Sequence, residues 1–176
     1  ALYIRKGVEI SNLINGGGQE NNKRAGTENV PGIVGFGKAA ELAKENLEEH
    51  IAKITELRDY FLEGIMANIP DVDINGDIEN RLPGTINLVF NEANGSSLRL
   101  YMYRRGIEVS AGAACSANSI EPSHVLQALG LPPEKVSSSF RFSIGDFTTE
   151  EDLDYTVKEI AYMVNIIRQT KPVDAC

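Results

Sequence analysis

The feature that most constrains the fold is a change in the spacing of apolar residues along the chain. A long helix is predicted from about Pro31 to Ile69, because apolar residues within it recur at steps of three and four, as on one face of an amphipathic helix. This stripe consists of Leu47, Ile51, Ile54, Leu57, Phe61 and Ile65. Between 138 and 144 the step changes to two, which predicts a half-buried strand. Its two faces carry Phe140, Phe142 and Ile144 on one side and Ser139, Arg141 and Ser143 on the other. A chain with both spacings combines long helices with a sheet.

Shorter patterns complete the element order. Strands are predicted at 1–4 and 84–90, and a helix is predicted at 95–105. The order strand, long helix, strand, helix, helix, strand, helix predicts a mixed α/β or α+β domain. In that architecture a small sheet is covered by helices, one of them long.

Two further helix starts are marked by local motifs. Glu121–Pro122–Ser123 predicts one start, because proline is tolerated in a first helical turn. Thr148 followed three residues later by Glu151 predicts a capping box at the start of the last helix. The apolar stripe of that helix consists of Leu153, Val157, Ile160, Val164 and Ile167.

Composition excludes several classes of protein. The 176 residues suffice for one domain or one domain plus a short piece, and the net charge of -8 argues against a nucleic-acid-binding surface. No apolar run approaches the ~20 residues of a membrane span, and the N-terminus has no signal-peptide pattern. The two cysteines, Cys115 and Cys176, form no disulfide framework, so we expect a cytoplasmic protein. Because the chain opens without Met inside a predicted strand, we expect it to belong to a longer protein.

A glycine-rich polar stretch precedes the long helix. It runs through Gly16–Gly17–Gly18 and continues to Arg24 and Gly26–Thr27. Glycines let a backbone approach a ligand closely, and a helix N-terminus with a hydroxyl and a nearby guanidinium offers the parts of a phosphate site. The stretch is equally compatible with a surface loop that caps the helix, and its spacing matches neither a P-loop nor a dinucleotide fingerprint.

A second candidate site is the small-residue segment 110–119, which contains Cys115. A segment of Ser, Ala and Gly is suited to presenting a mobile nucleophile, provided that a base or a positive charge favours the thiolate. The alternative is that Cys115 acts as a small buried hydrophobe, which is the commoner state of a lone cysteine.

Arg141 is the third candidate, because a guanidinium offers a planar fork suited to a carboxylate. The alternative is an arginine on a solvated strand face. His50 and His124 are expected to lie at the surface or to be structural, and no His/Cys cluster has the spacing of a metal site.

Three long motifs, in this order, carry a family resemblance. They are Gly16–Glu20 continuing through Arg24–Gly32, the segment 110–126 from Ser–Ala–Gly–Ala–Ala–Cys to Glu–Pro–Ser–His–Val–Leu, and Ser138–Gly145. Together the motifs resemble the NifS-type cysteine desulfurases, which are fold-type I pyridoxal-phosphate enzymes, and the resemblance covers residues 1 to about 169. It implies the small C-terminal domain of such an enzyme over residues 30–176. Residues 1–29 would be the end of the large cofactor domain together with an interface and phosphate loop.

The resemblance also implies roles for single residues. Cys115 matches the nucleophile that takes sulfur from L-cysteine as a persulfide and releases L-alanine. Arg141 matches the arginine that binds the substrate carboxylate, and Thr27 matches the threonine that reaches the cofactor phosphate of the other subunit in a homodimer. The segment after Cys115 resembles the group that carries sulfur to an acceptor, such as an iron–sulfur scaffold protein.

One part of the family pattern has no counterpart in this chain. The lysine that forms the Schiff base lies, in the family, just upstream of the segment that opens this sequence, and neither Lys6 nor Lys23 matches it. We therefore expect these 176 residues alone not to catalyse desulfuration. Three alternatives stay open: a selenocysteine lyase, a non-catalytic module that presents Cys115 to a sulfur acceptor, and an aminotransferase-like protein in which Cys115 is structural.

Overall fold

The computed structural model describes residues 1–110 and 123–170. The chain divides into two compact units, Ala1–Leu47 and a second unit that begins at Glu48. The expected division into 1–29 and 30–176 concerns the parts of a whole enzyme, and it stays a prediction.

The first unit contains a short hairpin and a helix. Strands β1 (Gly18–Gln19) and β2 (Arg24–Ala25) pair antiparallel, and α1 spans Val30–Glu45. The strand predicted at 1–4 is wrong, because these residues pair with no strand in the described parts of the chain. An extended segment gains ladder hydrogen bonds only from a neighbour.

The helix predicted from Pro31 to Ile69 is two helices. The first, α1, ends at Glu45, and α2 spans Leu47–Asn68. At Asn46 the backbone N–H and the side-chain Nδ2 both donate to the carbonyl oxygen of Leu42, at 3.1 and 3.0 Å. The backbone bond is a regular helical one, whereas the Nδ2 bond is of the kind by which asparagine competes with helical hydrogen bonding, and it accompanies the end of α1 at this residue.

The second unit contains a three-stranded sheet and the remaining helices. In chain order after α2 the elements are β3 (Val72–Ile74), β4 (Thr85–Phe90), α3 (Gly95–Arg104), α4 (His124–Ala128), α5 (Pro133–Ser137), β5 (Ser139–Ser143) and α6 (Glu150–Gln169). The sheet is antiparallel in the order β3–β4–β5. The strands predicted at 84–90 and 138–144 and the helix predicted at 95–105 are confirmed. Within the described ranges, none of the helices combines the length and apolar character that a membrane crossing requires.

One apolar core joins the sheet to α2 and α6. The rings of Phe61 on α2 and Phe142 on β5 lie 5.0 Å apart. At Gly64 an added Cβ would lie 3.1 Å from Val157 Cγ2, so the two helices approach closely at this point. The predicted stripe of α2 is buried from Ile54 to Ile65, whereas Leu47 and Ile51 at its start are exposed.

The last helix begins one residue later than predicted. The capping box is formed by Thr149 and Asp152: Asp152 N–H donates to Thr149 Oγ1 at 3.2 Å, and Thr149 N–H donates to Asp152 Oδ2 at 3.0 Å. Thr148 Oγ1 instead accepts from the N–H of Gly145. The predicted stripe of α6 is confirmed, with four members buried and Ile167 packed against the core.

The predicted start of α4 is described only in part. Ser123 occupies its N-cap position and is buried, and the helix begins at His124. Glu121 and Pro122 lie outside the described residues.

Candidate functional site

Arg141 lies at the centre of β5 with its side chain in solvent. Its neighbours Phe140 and Phe142 point into the core, so the alternation of the strand directs Arg141 to the opposite face. Within residues 1–110 and 123–170 its guanidinium forms no ion pair or hydrogen bond with the protein. Five N–H donors in a planar fork therefore remain for an outside acceptor such as a carboxylate. The carboxylate-binding role of Arg141 stays a prediction.

The open edge of β5 is paired with Ser110. The N–H of Arg141 donates to the carbonyl oxygen of Ser110 at 2.8 Å, and the N–H of Ser110 donates back to Arg141 at 3.2 Å. Ser110 is the last described residue before the segment 111–122, and the predicted nucleophile Cys115 falls in that segment, outside the described residues.

The chain that leads to Ser110 is anchored by a polar cluster between α3 and α6. Glu159 on α6 is buried and accepts from the Tyr101 hydroxyl at 2.6 Å and from Arg105 Nε at 2.7 Å. The hydrogen bond from Tyr101, followed by that from Arg105, holds the pKa of Glu159 below its ordinary value, against the opposing effect of burial. The Tyr155 hydroxyl also donates to the carbonyl oxygen of Arg105. Arg105, which follows α3 and lies five residues before Ser110, is thereby held against α6.

Asn87 on β4 is the residue opposite Arg141. The backbone N–H and C=O of Arg141 are both bonded to Ser110, and the carbonyl of Asn87 accepts from the N–H of Asn75 on its other side at 2.9 Å. Asn87 and Arg141 are consequently a non-hydrogen-bonded pair of the ladder, the type in which Cα atoms lie about 4.5 Å apart. Their side chains are neighbours on the same face of the sheet.

A chain of side-chain hydrogen bonds crosses the same face behind Asn87. Ser139 Oγ donates to the carbonyl oxygen of Lys135 at 2.6 Å and accepts from Asn75 Nδ2 at 3.1 Å. The same Nδ2 donates to Asn87 Oδ1 at 2.7 Å. Ser139 and Asn75 are buried, so this end of the polar face is closed, whereas Arg141 is open to solvent.

Thr27 lies in the first unit, between β2 and α1. It is exposed, and its hydroxyl has no hydrogen-bond partner within the described ranges. The preceding Gly26 has a φ of +83° and donates its N–H to the carbonyl oxygen of Gly17, so a left-handed turn fixes the approach to Thr27. The hydroxyl is therefore accessible from solvent, and the phosphate-contacting role of Thr27 stays a prediction.

The start of α1 contributes less to a phosphate site than its position predicts. The helix begins three residues after Thr27, at Val30. Asn29 accepts the N–H of Gly32 with its side chain and the N–H of Ile33 with its carbonyl. The helix thus satisfies these two donors itself, so they add nothing to a phosphate site beside Thr27.

The two histidines lie away from the core. His124 is the exposed first residue of α4, and the Nδ1 atom of His50 on α2 lies 2.6 Å from Asp146 Oδ1. In the part of the chain that the structure describes, no group of three or more His, Cys, Asp or Glu side chains is arranged to hold a metal ion.

The sequence analysis missed the polar neighbours of Arg141. Asn87 alternates with the buried Ile86 and Leu88, so its outward direction was predictable from the strand pattern alone. That it faces Arg141 depends on a register between residues that are 54 positions apart in the chain, which local patterns do not contain.

Comparison with known proteins identifies relatives along nearly the whole chain. The model of the aminotransferase class-V family matches residues 6–156. The chain is 51% identical over 172 residues to a protein named cysteine desulfurase IscS from Dictyoglomus turgidum, and 46% identical over 172 residues to one named cysteine desulfurase from a Nostoc species. Each alignment covers 98% of this chain but 44% and 43% of the relative, so the chain spans less than half the length of these proteins.

Solved structures agree with the sequence relatives. A structure titled NifS-like protein superposes with a TM-score of 0.77 and 37% identity, over 93% of this chain and 41% of that one. A NifS-like protein from Rickettsia africae superposes with a TM-score of 0.77 and 30% identity, over 90% of this chain and 41% of that one. The predicted mixed α/β fold, part of a fold-type I architecture, is confirmed. Because the family model matches residues 6–156, which is most of this chain, the chain belongs to the aminotransferase class-V family.

Proposed function

We propose that this chain is the C-terminal part of a pyridoxal-phosphate-dependent cysteine desulfurase, which converts L-cysteine into L-alanine and leaves sulfur on Cys115. Relatives that are about half identical over 98% of the chain bear the name cysteine desulfurase. The observation that carries the proposal is the backbone pair between Ser110 and Arg141. It ties the start of the cysteine-bearing segment to an arginine whose guanidinium is exposed.

Arg141 binds the α-carboxylate of the substrate. Its exposed fork can form two parallel hydrogen bonds with a carboxylate, which sets the orientation of the amino acid as well as its affinity. The two backbone bonds to Ser110 and the ladder with β4 hold the strand under this side chain. The substrate carboxylate is therefore bound over this face of the sheet, near Ser110, where the cysteine-bearing segment begins.

Cys115 takes the sulfur. Its thiolate attacks the sulfur atom of the bound cysteine, a new S–S bond forms, and the bond between that sulfur and the substrate β-carbon breaks. The electron pair of the broken bond is finally protonated, so cysteine and the enzyme thiol become alanine and an enzyme persulfide with no external oxidant. The positive guanidinium of Arg141 near the start of the segment favours the thiolate form of an approaching cysteine.

Thr27 is the residue of this chain that would contact the cofactor, through its phosphate and across a homodimer interface. Its exposed hydroxyl and the fixed turn at Gly26 fit that contact. Pyridoxal phosphate, when bound, serves as the electron sink for the substrate α-carbon. Because neither Lys6 nor Lys23 matches the family's cofactor lysine, we expect the 176 residues alone to be inactive.

The persulfide on Cys115 is passed to a protein acceptor, for which an iron–sulfur scaffold protein is our candidate. We expect this reaction to take place in the cytoplasm, where cysteine thiols stay reduced.

Turnover of L-cysteine tests the proposed function. Sulfide release and the absorbance band of the cofactor are recorded for the full-length enzyme and for the 176-residue chain, each supplied with pyridoxal phosphate. We expect the full-length enzyme alone to release sulfide. Turnover by the 176-residue chain would contradict the expected need for the lysine, and inactivity of both would contradict the desulfurase assignment. Parallel assays with selenocysteine separate a desulfurase from a selenocysteine lyase.

A further inference from the structure

The orientation of the Asn87 amide is determined by its hydrogen-bond network. The carbonyl oxygen of Lys135 can only accept, so the Ser139 hydroxyl must donate to it. Ser139 Oγ then accepts from the NH2 group of Asn75, whose second hydrogen goes to Asn87. Asn87 must therefore present its oxygen to Asn75, because the opposite orientation would place two NH2 groups against each other. Its own NH2 group is turned away from β3.

That NH2 group has no acceptor within the described residues. Asn87 is half-buried, and every fully buried side-chain nitrogen and oxygen in residues 1–110 and 123–170 has a hydrogen-bond partner. The amide nitrogen of Asn87 is consequently not fully buried, in keeping with the half-buried side chain. The side chain lies beside Arg141, its cross-strand neighbour in a non-hydrogen-bonded pair. Two donors, one charged and one neutral, thus adjoin on this face.

We propose that Asn87 is a second donor to the substrate carboxylate, with its Nδ2 atom binding one oxygen while Arg141 binds the anion. These two adjacent donors have no acceptor among residues 1–110 and 123–170, and they match a group that accepts only, which is the state of an ionised carboxylate. The network through Asn75 and Ser139 makes this donor rigid, so it loses little freedom on binding. The inference rests on the proposed function, since it assigns the ligand of the same site.

The test uses the full-length, cofactor-loaded enzyme and two substitutions of Asn87. Asn87→Asp keeps the oxygen that accepts from Asn75 and replaces only the donor by a negative charge. Asn87→Leu removes the donor without adding charge. We expect each variant to raise the KM for L-cysteine about tenfold or more with kcat changed about twofold or less, since a hydrogen bond to a charged group is lost from ground state and transition state alike. The dissociation constant of L-alanine, read from the cofactor spectrum, should rise by a similar factor.

Thr85→Val is the matched control. Thr85 lies two positions before Asn87 on the same strand and the same face, and its cross-strand partner is Ser143, not Arg141. We expect its KM to equal that of the wild type, and circular dichroism should show all three variants folded. If Asn87→Leu fails to fold, Asn87→Asp still carries the test.

The outcomes separate this inference from the proposed function. If KM is unchanged in both Asn87 variants but raised in Arg141→Lys, Asn87 is not a donor to the carboxylate. The proposed desulfurase function is not contradicted by that result. If kcat and the thermal midpoint both fall while KM is unchanged, Asn87 supports the fold and does not bind the substrate carboxylate, which also overturns the inference. A wild-type enzyme that does not turn over cysteine overturns the proposed function, and the inference with it.

Discussion

Replacing Phe61 by alanine tests whether the sheet that carries Arg141 depends on the α2 contact beneath it. Phe61 is 1% exposed, and its ring lies 5.0 Å from that of Phe142, the residue after Arg141. A buried Phe→Ala substitution costs about 4 kcal/mol, since transfer free energy is lost and a cavity remains. For a folding unit of this size, about 4 °C per kcal/mol gives a fall of the thermal midpoint of about 15 °C.

Thermal and urea unfolding, followed by circular dichroism, measure this loss. Phe147→Ala is the matched control, because the same side chain is removed where it is 97% exposed. We expect the control to stay within about 0.5 kcal/mol of the wild type. Equal stabilities of the two variants would refute the placement of Phe61 in the core and the packing that supports β5.

Three further predictions concern α6 and Thr27, and the one on Thr27 tests its proposed contact with the cofactor phosphate. Glu159→Gln should destabilise the protein near neutral pH. The pKa of Glu159 is lowered in the folded state, so the ionised carboxylate stabilises the fold at pH values above the ordinary pKa of 4.5. The difference in unfolding free energy between the variant and the wild type should therefore shrink as the pH falls below 4.5. Thr149→Ala should cost about 1 kcal/mol in urea unfolding, because the cap of α6 is lost. Thr27→Val should weaken pyridoxal-phosphate binding by the full-length enzyme in a fluorescence titration, yet leave the thermal midpoint of the apoprotein unchanged.

The elements with a sustained apolar period were predictable from the sequence. The stripes from Ile54 to Ile65 and from Leu153 to Val164 are buried as their spacing predicts, since burial of one face is what the spacing encodes. Predictions failed where a side chain acts on the backbone locally. Asn46 ends α1 inside the segment that was predicted as one helix, and Thr149 rather than Thr148 reaches the N–H that needs a cap.

The candidate site was predictable as single residues but not as an arrangement. The sequence motifs indicate Arg141, Cys115 and Thr27 as candidates, and the alternation of β5 predicts that the side chain of Arg141 points away from the core. The pairing of Arg141 with Ser110 and with Asn87 comes from long-range register, which the chain specifies only through the packing of the whole sheet.

The central claim, that Cys115 receives the sulfur of cysteine, is tested most directly by mass spectrometry of the full-length enzyme after one turnover with L-cysteine. The account predicts an added mass of one sulfur atom on the peptide that contains Cys115, absent from Cys115→Ser and unaffected by Cys176→Ser, the matched control at the second cysteine. Sulfur on Cys176, or turnover that persists in Cys115→Ser, would contradict it.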